Sequence, residues 1–136
     1  MSWRIGALAL VFIWFFLGGI GHFLWLDAYS NVVPAWVPHP REVVLATGAC
    51  DIAGAIAVLW TRTRRVGGLA LIAYCLCVWP VHFEMLAHHE RYASIPLALL
   101  WARLLFQPVL MGVIWWASFG GPPPSQETPK PKKSQI

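Results

Sequence analysis

The sequence predicts an all-α protein, a four-helix transmembrane bundle, and three observations lead to this fold class. The 136 residues are 58% hydrophobic and only 12% charged, with a mean hydropathy of +0.60, whereas about a quarter of the residues in soluble domains are charged. The nine tryptophans suit the boundary between hydrocarbon and water. Four apolar stretches each approach the roughly 20 residues that cross a bilayer as a helix. They span approximately residues 5–26, 43–60, 66–86 and 95–118.

Each apolar stretch has one feature that affects its assignment. The first follows Arg4, is longer than the apolar part of a signal peptide and lacks a small-x-small cleavage site, so it predicts a membrane helix. The second is short and contains Asp51, so it depends on neighbouring helices. Pro80 predicts a kink in the third. The fourth carries Arg103 and Gln107 about one helical turn apart, and an arginine at mid-membrane costs about 2.5–3.5 kcal/mol.

Small residues cluster in the first two predicted helices. Surfaces of this kind let helix backbones approach closely in lipid, where hydrophobicity does not drive association. We therefore expect these two helices to be packed inside the bundle. The small residues are Gly18, Gly19 and Gly21, and Gly48, Ala49, Ala53 and Gly54.

The connections and the basic residues predict the topology. Pro34, Pro38 and Pro40 predict an extended segment at 27–42 rather than a helix. An even number of spans places both termini on one side together with the 61–65 turn. That side collects Arg4, Arg62, Arg64, Arg65, Lys130, Lys132 and Lys133, against Arg41 and Arg91 on the other. The positive-inside rule then gives cytoplasmic N- and C-termini.

The domain organisation is one transmembrane domain, residues 1–118, followed by a tail. Residues 119–136 are rich in proline and lysine and have no apolar face, so we expect a disordered cytoplasmic tail. The basic residues are explained by topology better than by nucleic acid, and no nucleic-acid partner is predicted. The lipid bilayer is the predicted partner.

Five polar residues are predicted to converge on the outer half of the bundle. Helical rise places Asp51 and Arg103 each about 12 Å below the outer end of its helix, so we expect them to form an ion pair. His22, His82 and Gln107 lie in the same half. One interpretation is structural, with the pair holding two helices in register. The other is a ligand-binding pocket that opens outward, because ionisable residues in membranes often mark ligand or proton paths.

Other site chemistries have weaker support in the sequence. An odd number of cysteines, Cys50, Cys75 and Cys77, gives no disulfide framework. Four histidines lie towards the predicted outer face near Glu84 and Glu90, but their spacing matches no firm ligand motif, so no metal is predicted. These histidines are His39, His82, His88 and His89. Axial haem ligation by His22 and His82 is a further alternative that the sequence supports weakly.

Five short segments resemble the DoxX-like family of small bacterial membrane proteins in their order and spacing. The resemblance extends from about residue 18 to 116 and rests on GHF at 21–23, VPAWVP at 33–38, TGACDI at 47–52, TRR at 63–65 and WARLLFQ at 101–107. It implies four-helix integral proteins of the bacterial inner membrane, mostly without an assigned activity. A related branch is named for a subunit of an archaeal thiosulfate:quinone oxidoreductase, and some relatives are linked to membrane thiol and oxidative-stress systems.

Two positions depart from the pattern of the DoxX-like family. Asp51 stands where relatives usually carry glutamate, which keeps the charge and shortens its reach. Residues 81–85 replace a segment that commonly contains asparagine, so His82 or Glu84 is expected to alter specificity.

The sequence supports two functions. The first is an inner-membrane subunit whose pocket, formed by His22, Asp51, His82, Arg103 and Gln107, binds a quinone or similar small amphiphile for a redox or stress-related system. Arg103 and Gln107 would donate to a ligand carbonyl, Asp51 would fix the arginine and His22 would relay a proton. A membrane redox protein or a second copy would be the partner. The alternative is a non-catalytic assembly or interaction subunit in which the Asp51–Arg103 pair is purely structural.

Overall fold

A computed structural model describes residues 3–120 of the chain, and every regular element in this range is helical. The elements are α1 (Trp3–Leu24), α2 (Leu26–Asn31), α3 (Pro40–Leu59), α4 (Arg64–Ala87), a 3₁₀ turn (His89–Tyr92) and α5 (Leu97–Phe119). The long helices α1, α3, α4 and α5 are each long and apolar enough to cross a membrane. The all-α class with four long apolar helices is thus confirmed, and the side on which the termini lie stays a prediction. Of the tail expected at 119–136, Phe119 is the last residue of α5, and residues 121–136 lie outside the described residues.

The helix boundaries differ from expectation around the first loop. Within the segment 27–42 that was expected to be extended, residues 27–31 belong to α2 and residues 40–42 to α3, so that expectation is wrong for these residues. Pro40 begins α3 rather than preceding it, because proline is tolerated in the first helical turn, where its missing N–H needs no partner. As a result α3 begins three residues before the expected Val43, and α5, which follows Pro96, begins two residues after the expected Ile95.

The four long helices form a ring in which each one packs against two others. Helices α1 and α4 both contact α3 and α5. Helices α3 and α5 therefore face each other diagonally, as do α1 and α4. The apolar core fills the half of the bundle nearest the start of α1. It comprises Leu8, Val11, Phe15, Ala55, Val58, Leu71, Cys75, Leu110, Ile114 and Ala117.

The closest approach in the bundle is between α1 and α3. A Cβ atom added to Gly19 would lie 2.8 Å from the Gly48 carbonyl oxygen and 3.0 Å from the Asp51 Cβ. Only glycine fits at such a separation, as the small residues of these helices predict. This crossing brings one face of α1 directly against Asp51.

The outward faces of the long helices are apolar. Leu17 on α1, Leu69 on α4 and Leu105 on α5 are 60%, 51% and 62% exposed. Apolar helix faces are compatible with surrounding hydrocarbon, because hydrocarbon offers no hydrogen-bond partner to polar side chains.

Candidate functional site

A polar cluster around Asp51 joins three of the long helices. Asp51 lies on α3 and is 4% exposed. The Tyr74 hydroxyl on α4 donates a hydrogen bond of 3.3 Å to Asp51 Oδ2, and the His22 Nε2 atom on α1 lies 3.9 Å from the same oxygen. The carboxylate thus has one polar neighbour on each of the two helices that flank α3.

The surroundings of His22 favour one tautomer. Its Nδ1 atom lies 3.1 Å from the Val44 carbonyl oxygen and 3.0 Å from Thr47 Oγ1. The Thr47 hydroxyl itself donates to the Val44 carbonyl at 2.9 Å. Because a carbonyl oxygen can only accept, this arrangement favours a hydrogen on His22 Nδ1. The Nε2 atom is then the ring nitrogen that faces Asp51. Tyr29 covers the imidazole, with ring centroids 4.4 Å apart.

This geometry gives the cluster one position for an exchangeable proton. An unprotonated Nε2 facing an ionised carboxylate would place two acceptors against each other, which is unfavourable in a buried site. A proton on either His22 Nε2 or Asp51 Oδ2 removes that conflict. The other carboxylate oxygen, Oδ1, is also buried and has no hydrogen-bond partner within residues 3–120. The cluster can therefore bind and release a proton between two helices.

The expected ion pair between Asp51 and Arg103 is not formed. Within the described part of the chain the aspartate has His22 as its ionic neighbour, and the Arg103 side chain is exposed. Two features of the packing separate the charges. Helices α3 and α5 are diagonal in the ring, and the two residues also lie at different depths.

The difference in depth follows from the contacts between helices. Asp51 is level with Tyr74 through their hydrogen bond, while Gln107 is level with the adjoining Cys75, because its Nε2 atom donates 3.2 Å to the Cys75 carbonyl oxygen. Asp51 is therefore level with Gln107, and Arg103 lies about 6 Å, or four residues, closer to the beginning of α5. The early start of α3 and the late start of α5 account for this offset.

The five residues proposed from the sequence thus fall into separate places. His22 and Asp51 belong to the polar cluster. Gln107 is buried at the contact between α4 and α5. His82 is half-buried on α4 and lies within electrostatic range of Arg103. The structure therefore does not bring all five residues into one pocket.

Sequence reasoning missed two members of the cluster. Thr47 precedes Asp51 by four residues, so it lies on the same face of α3, and this spacing was a usable signal. Tyr74 is the one tyrosine within the four predicted apolar stretches. A buried tyrosine hydroxyl usually has a hydrogen-bond partner, so its position in the third stretch also pointed to a polar site.

An apolar groove of about 540 Å³ lies between α3 and α4 and is open along one side. It extends from Thr63, at the turn between these helices, to Cys50 and Cys77 near their middle. The groove thus occupies the half of the bundle opposite the one in which the sequence placed a pocket. Tyr74 lines the groove with its ring and donates its hydroxyl to Asp51, so one residue belongs to both groove and cluster.

The metal-ligating and thiol groups are dispersed. Over residues 3–120, no group of three or more His, Cys, Asp or Glu side chains is arranged to hold a metal ion. His22 and His82 belong to different places in the bundle. All three cysteines are free thiols, with Cys75 buried and the other two exposed.

The comparisons with known proteins identify a family and no activity. No curated protein and no solved structure matches the chain. The resemblance to the DoxX-like family stays a prediction. A family model described as a domain of unknown function, DUF8561, matches residues 8–119, which include all four long helices except the first five residues of α1. The chain belongs to the DUF8561 family.

Proposed function

We propose that this protein is a multi-pass protein of the bacterial inner membrane that binds a quinone or similar small amphiphile in the groove between α3 and α4. The observation that carries the proposal is the shared position of Tyr74, which lines the groove and bonds to the buried carboxylate of Asp51. The apolar part of the ligand lies along the groove, and its polar end lies at Tyr74.

The size and lining of the groove support a ligand of this kind. Its volume of about 540 Å³ falls within the range of roughly 300–1,000 Å³ that is usual for small-molecule sites. Small residues on both walls, among them Ala53 and Ala70, leave room for an apolar ring or chain. The surface of the groove is almost entirely apolar, which suits the hydrocarbon part of an amphiphile.

The polar cluster gives the site its chemistry. The Tyr74 hydroxyl can turn from Asp51 towards a ligand oxygen when the carboxyl carries the proton. His22 relays that proton, because its Nε2 atom faces Asp51 while Nδ1 is fixed by Val44 and Thr47. The residues of this chain thus bind the amphiphile and exchange a proton with it. Electrons for any redox step come from a membrane redox partner.

Quinone binding by the purified protein in nanodiscs tests the groove. Quenching of tryptophan fluorescence by a short-chain quinone analogue gives the affinity. We expect Ala70→Leu, which places a larger side chain in the groove, to weaken binding by about tenfold or more, equivalent to about 1.4 kcal/mol. Ala102→Leu is the matched control, because this exposed alanine lies on α5 away from the groove. Equal affinities for Ala70→Leu and the parent protein would refute the groove as the binding site.

A second pair of variants tests whether the polar end of the ligand lies at Tyr74. Tyr74→Phe keeps the ring that lines the groove and removes the hydroxyl, so we expect weaker binding. Arg103→Leu should bind quinone as the parent does, since Arg103 lies outside both groove and cluster. The reverse order of affinities would place the ligand at Arg103.

The alternative function is a non-catalytic assembly or interaction subunit. The observation that favours it is the small-residue lining of the groove, a surface against which a partner helix packs closely. The contacts of Asp51 with His22 and Tyr74 would then only fix the packing of three helices. This function predicts no measurable affinity for quinone, and loss of a co-purifying membrane protein in Ala70→Leu but not in Ala102→Leu.

A further inference from the structure

Arg103 differs from Arg4 and Arg64, two arginines of the long helices that donate hydrogen bonds to backbone carbonyl oxygens. Arg4 donates to the Ala117 carbonyl oxygen and Arg64 to the Val58 carbonyl oxygen. Arg103 is the seventh residue of α5 and its side chain is exposed. Among the residues that the structure describes, its guanidinium has no ion pair and no hydrogen bond.

The carboxylates of the bundle do not neutralise this charge. Asp51 lies one turn deeper on the diagonal helix, beside His22. Glu84 lies on α4 with its Oε1 atom 3.2 Å from His88 Nδ1. An arginine in an apolar segment is costly unless an anion or the membrane boundary accommodates it. Residues 3–120 thus supply no counter-ion for Arg103, and an anion from another molecule would neutralise it.

His82 provides a second polar group beside Arg103. It is half-buried on α4, three residues after Trp79, whose indole Nε1 donates to the carbonyl oxygen of Leu104, the residue next to Arg103. The His82 imidazole also lies within electrostatic range of the guanidinium. A guanidinium next to an imidazole, with both able to donate hydrogen bonds, suits an anion with several oxygens. The planar guanidinium binds phosphate through two parallel hydrogen bonds.

The depth of Arg103 directs this site towards a lipid headgroup. Its Cα atom lies about 9 Å from the beginning of α5, and side chains on a helix tilt towards the N-terminus. The guanidinium therefore extends towards the end of the bundle where α5 begins, which is the boundary level where lipid phosphates lie. The exposed Trp101 lies two residues earlier on α5 and suits the same level.

We propose that Arg103 and His82 bind the phosphate of an anionic phospholipid at the end of the bundle where α5 begins. The acyl chains of this lipid lie along the exposed apolar face of α5, which includes Leu105 and Val109. This site is separate from the groove between α3 and α4, so either proposal can fail without the other.

Native mass spectrometry of the full chain tests the lipid site. The protein is extracted from nanodiscs that contain equal amounts of phosphatidylglycerol and phosphatidylcholine, and the retained lipids are counted. We expect preferential retention of phosphatidylglycerol by the parent and about fivefold less by Arg103→Gln, as for the loss of one basic contact with an anionic lipid. Arg103→Lys should recover part of the retention, because it restores the charge.

Arg91→Gln is the matched control, since Arg91 is an exposed arginine at the same end of the bundle, and we expect unchanged retention. Equal retention of phosphatidylglycerol by Arg103→Gln and the parent would overturn the proposal. A competition with excess inorganic phosphate separates the two sources of a phosphate group. A bound lipid should remain in place because its acyl chains also contact α5. Displacement of the lipid by phosphate alone would assign the site to a free anion and overturn the lipid assignment.

Discussion

Asp51 is accommodated in the bundle by hydrogen-bonding groups rather than by a permanent cation. Tyr74 donates to one carboxylate oxygen and His22 lies 3.9 Å from it, while the second oxygen stays without a partner in the described region. A buried polar group that loses its partner costs about 1–3 kcal/mol, whereas replacement of one acceptor by another costs less. The side chain at position 51 therefore determines whether Tyr74 and His22 keep a polar partner.

Substitution of Asp51 tests this account. Asp51→Asn can keep an oxygen at the Oδ2 position, which accepts from Tyr74 and faces His22, so we expect a smaller loss of stability than for an apolar residue. Asp51→Leu leaves both neighbours without a partner and should lower the free energy of unfolding by about 1–3 kcal/mol. Thermal unfolding in detergent, followed by tryptophan fluorescence, measures the difference. Equal melting temperatures of the two variants would contradict the role assigned to these contacts.

A second residue-scale feature concerns the backbone at Pro108. Proline has no N–H, so Pro108 inside α5 cannot donate to the carbonyl oxygen of Leu104 four residues earlier. The indole Nε1 of Trp79 on α4 donates to this oxygen at a distance of 3.2 Å. A side chain of the neighbouring helix thus supplies the hydrogen bond that the proline removes.

A double-mutant cycle tests the coupling of Trp79 to Pro108. Trp79→Phe alone leaves the Leu104 carbonyl without a donor and should cost about 1–3 kcal/mol beyond the loss of packing. In a Pro108→Ala background the helix supplies its own N–H, so the same substitution should cost less. Unfolding free energies of the four proteins give the coupling energy, expected at about 0.5–3 kcal/mol. Simple additivity would show that the indole hydrogen bond is unrelated to the proline.

At the scale of elements, the crossing of α1 and α3 sets the geometry of the cluster. Gly19 and Gly48 face each other there, and a Cβ atom on Gly48 would lie 2.7 Å from the Cβ of His22. The glycines thus fix the separation at which His22 approaches Asp51. A wider crossing would move the imidazole away from the carboxylate.

Adjacent glycines of α1 provide a matched test of this crossing. A methyl group added at Gly19 would lie 2.7 Å from Ile52 Cγ1 and 2.8 Å from the Gly48 carbonyl oxygen, so Gly19→Ala should cost about 1–3 kcal/mol through overpacking. A methyl group at Gly18 would meet no atom within 4 Å. Gly18→Ala should therefore be neutral or stabilising by up to about 1 kcal/mol, because alanine favours the helix. Thermal unfolding of both variants measures the contrast, and a larger loss for Gly18→Ala would refute the close crossing.

At the scale of the whole molecule, the four long helices connect two ends with different charge. One end carries Arg62 in the turn between α3 and α4, Arg64 and Arg65 at the beginning of α4, and Arg4 near the beginning of α1. The opposite end, with α2 and the 3₁₀ turn, carries Arg41 and Arg91. An ion pair between Arg41 and Asp27 joins α2 to the beginning of α3 there. The positive-inside rule predicts that the first of these ends faces the cytoplasm.

Labelling of single cysteines tests the predicted orientation. In a background where Cys50, Cys75 and Cys77 are replaced by alanine, Ser94→Cys and Thr61→Cys place a thiol in an exposed connection at each end of the bundle. With an impermeant thiol reagent on intact cells, we expect labelling at position 94 and none at position 61 until the membrane is permeabilised. Labelling of position 61 alone would invert the topology, and equal labelling of both would contradict a membrane-spanning bundle.

The candidate site was only partly predictable from sequence. His22 and Asp51 stood out because ionisable residues in apolar stretches are costly and therefore informative. Their contact depends on the crossing at Gly19 and Gly48, which no local pattern specifies. The predicted depth of Arg103 relative to Asp51 was wrong because both depths were counted from the expected helix ends. Helix α3 begins earlier than expected and α5 later, so the two shifts together separate the residues by about one helical turn.

The all-α class and the four long apolar helices with approximate bounds follow from the amino-acid sequence alone, because helix length and hydropathy are local properties of the chain. Which helices are neighbours, and how they are offset along the bundle, became apparent in the folded structure. Those two quantities depend on contacts between residues far apart in sequence, such as Gly19 with Gly48 and Gln107 with Cys75. For that reason the buried carboxylate lies beside His22 and Tyr74, and Arg103 faces outward one turn away.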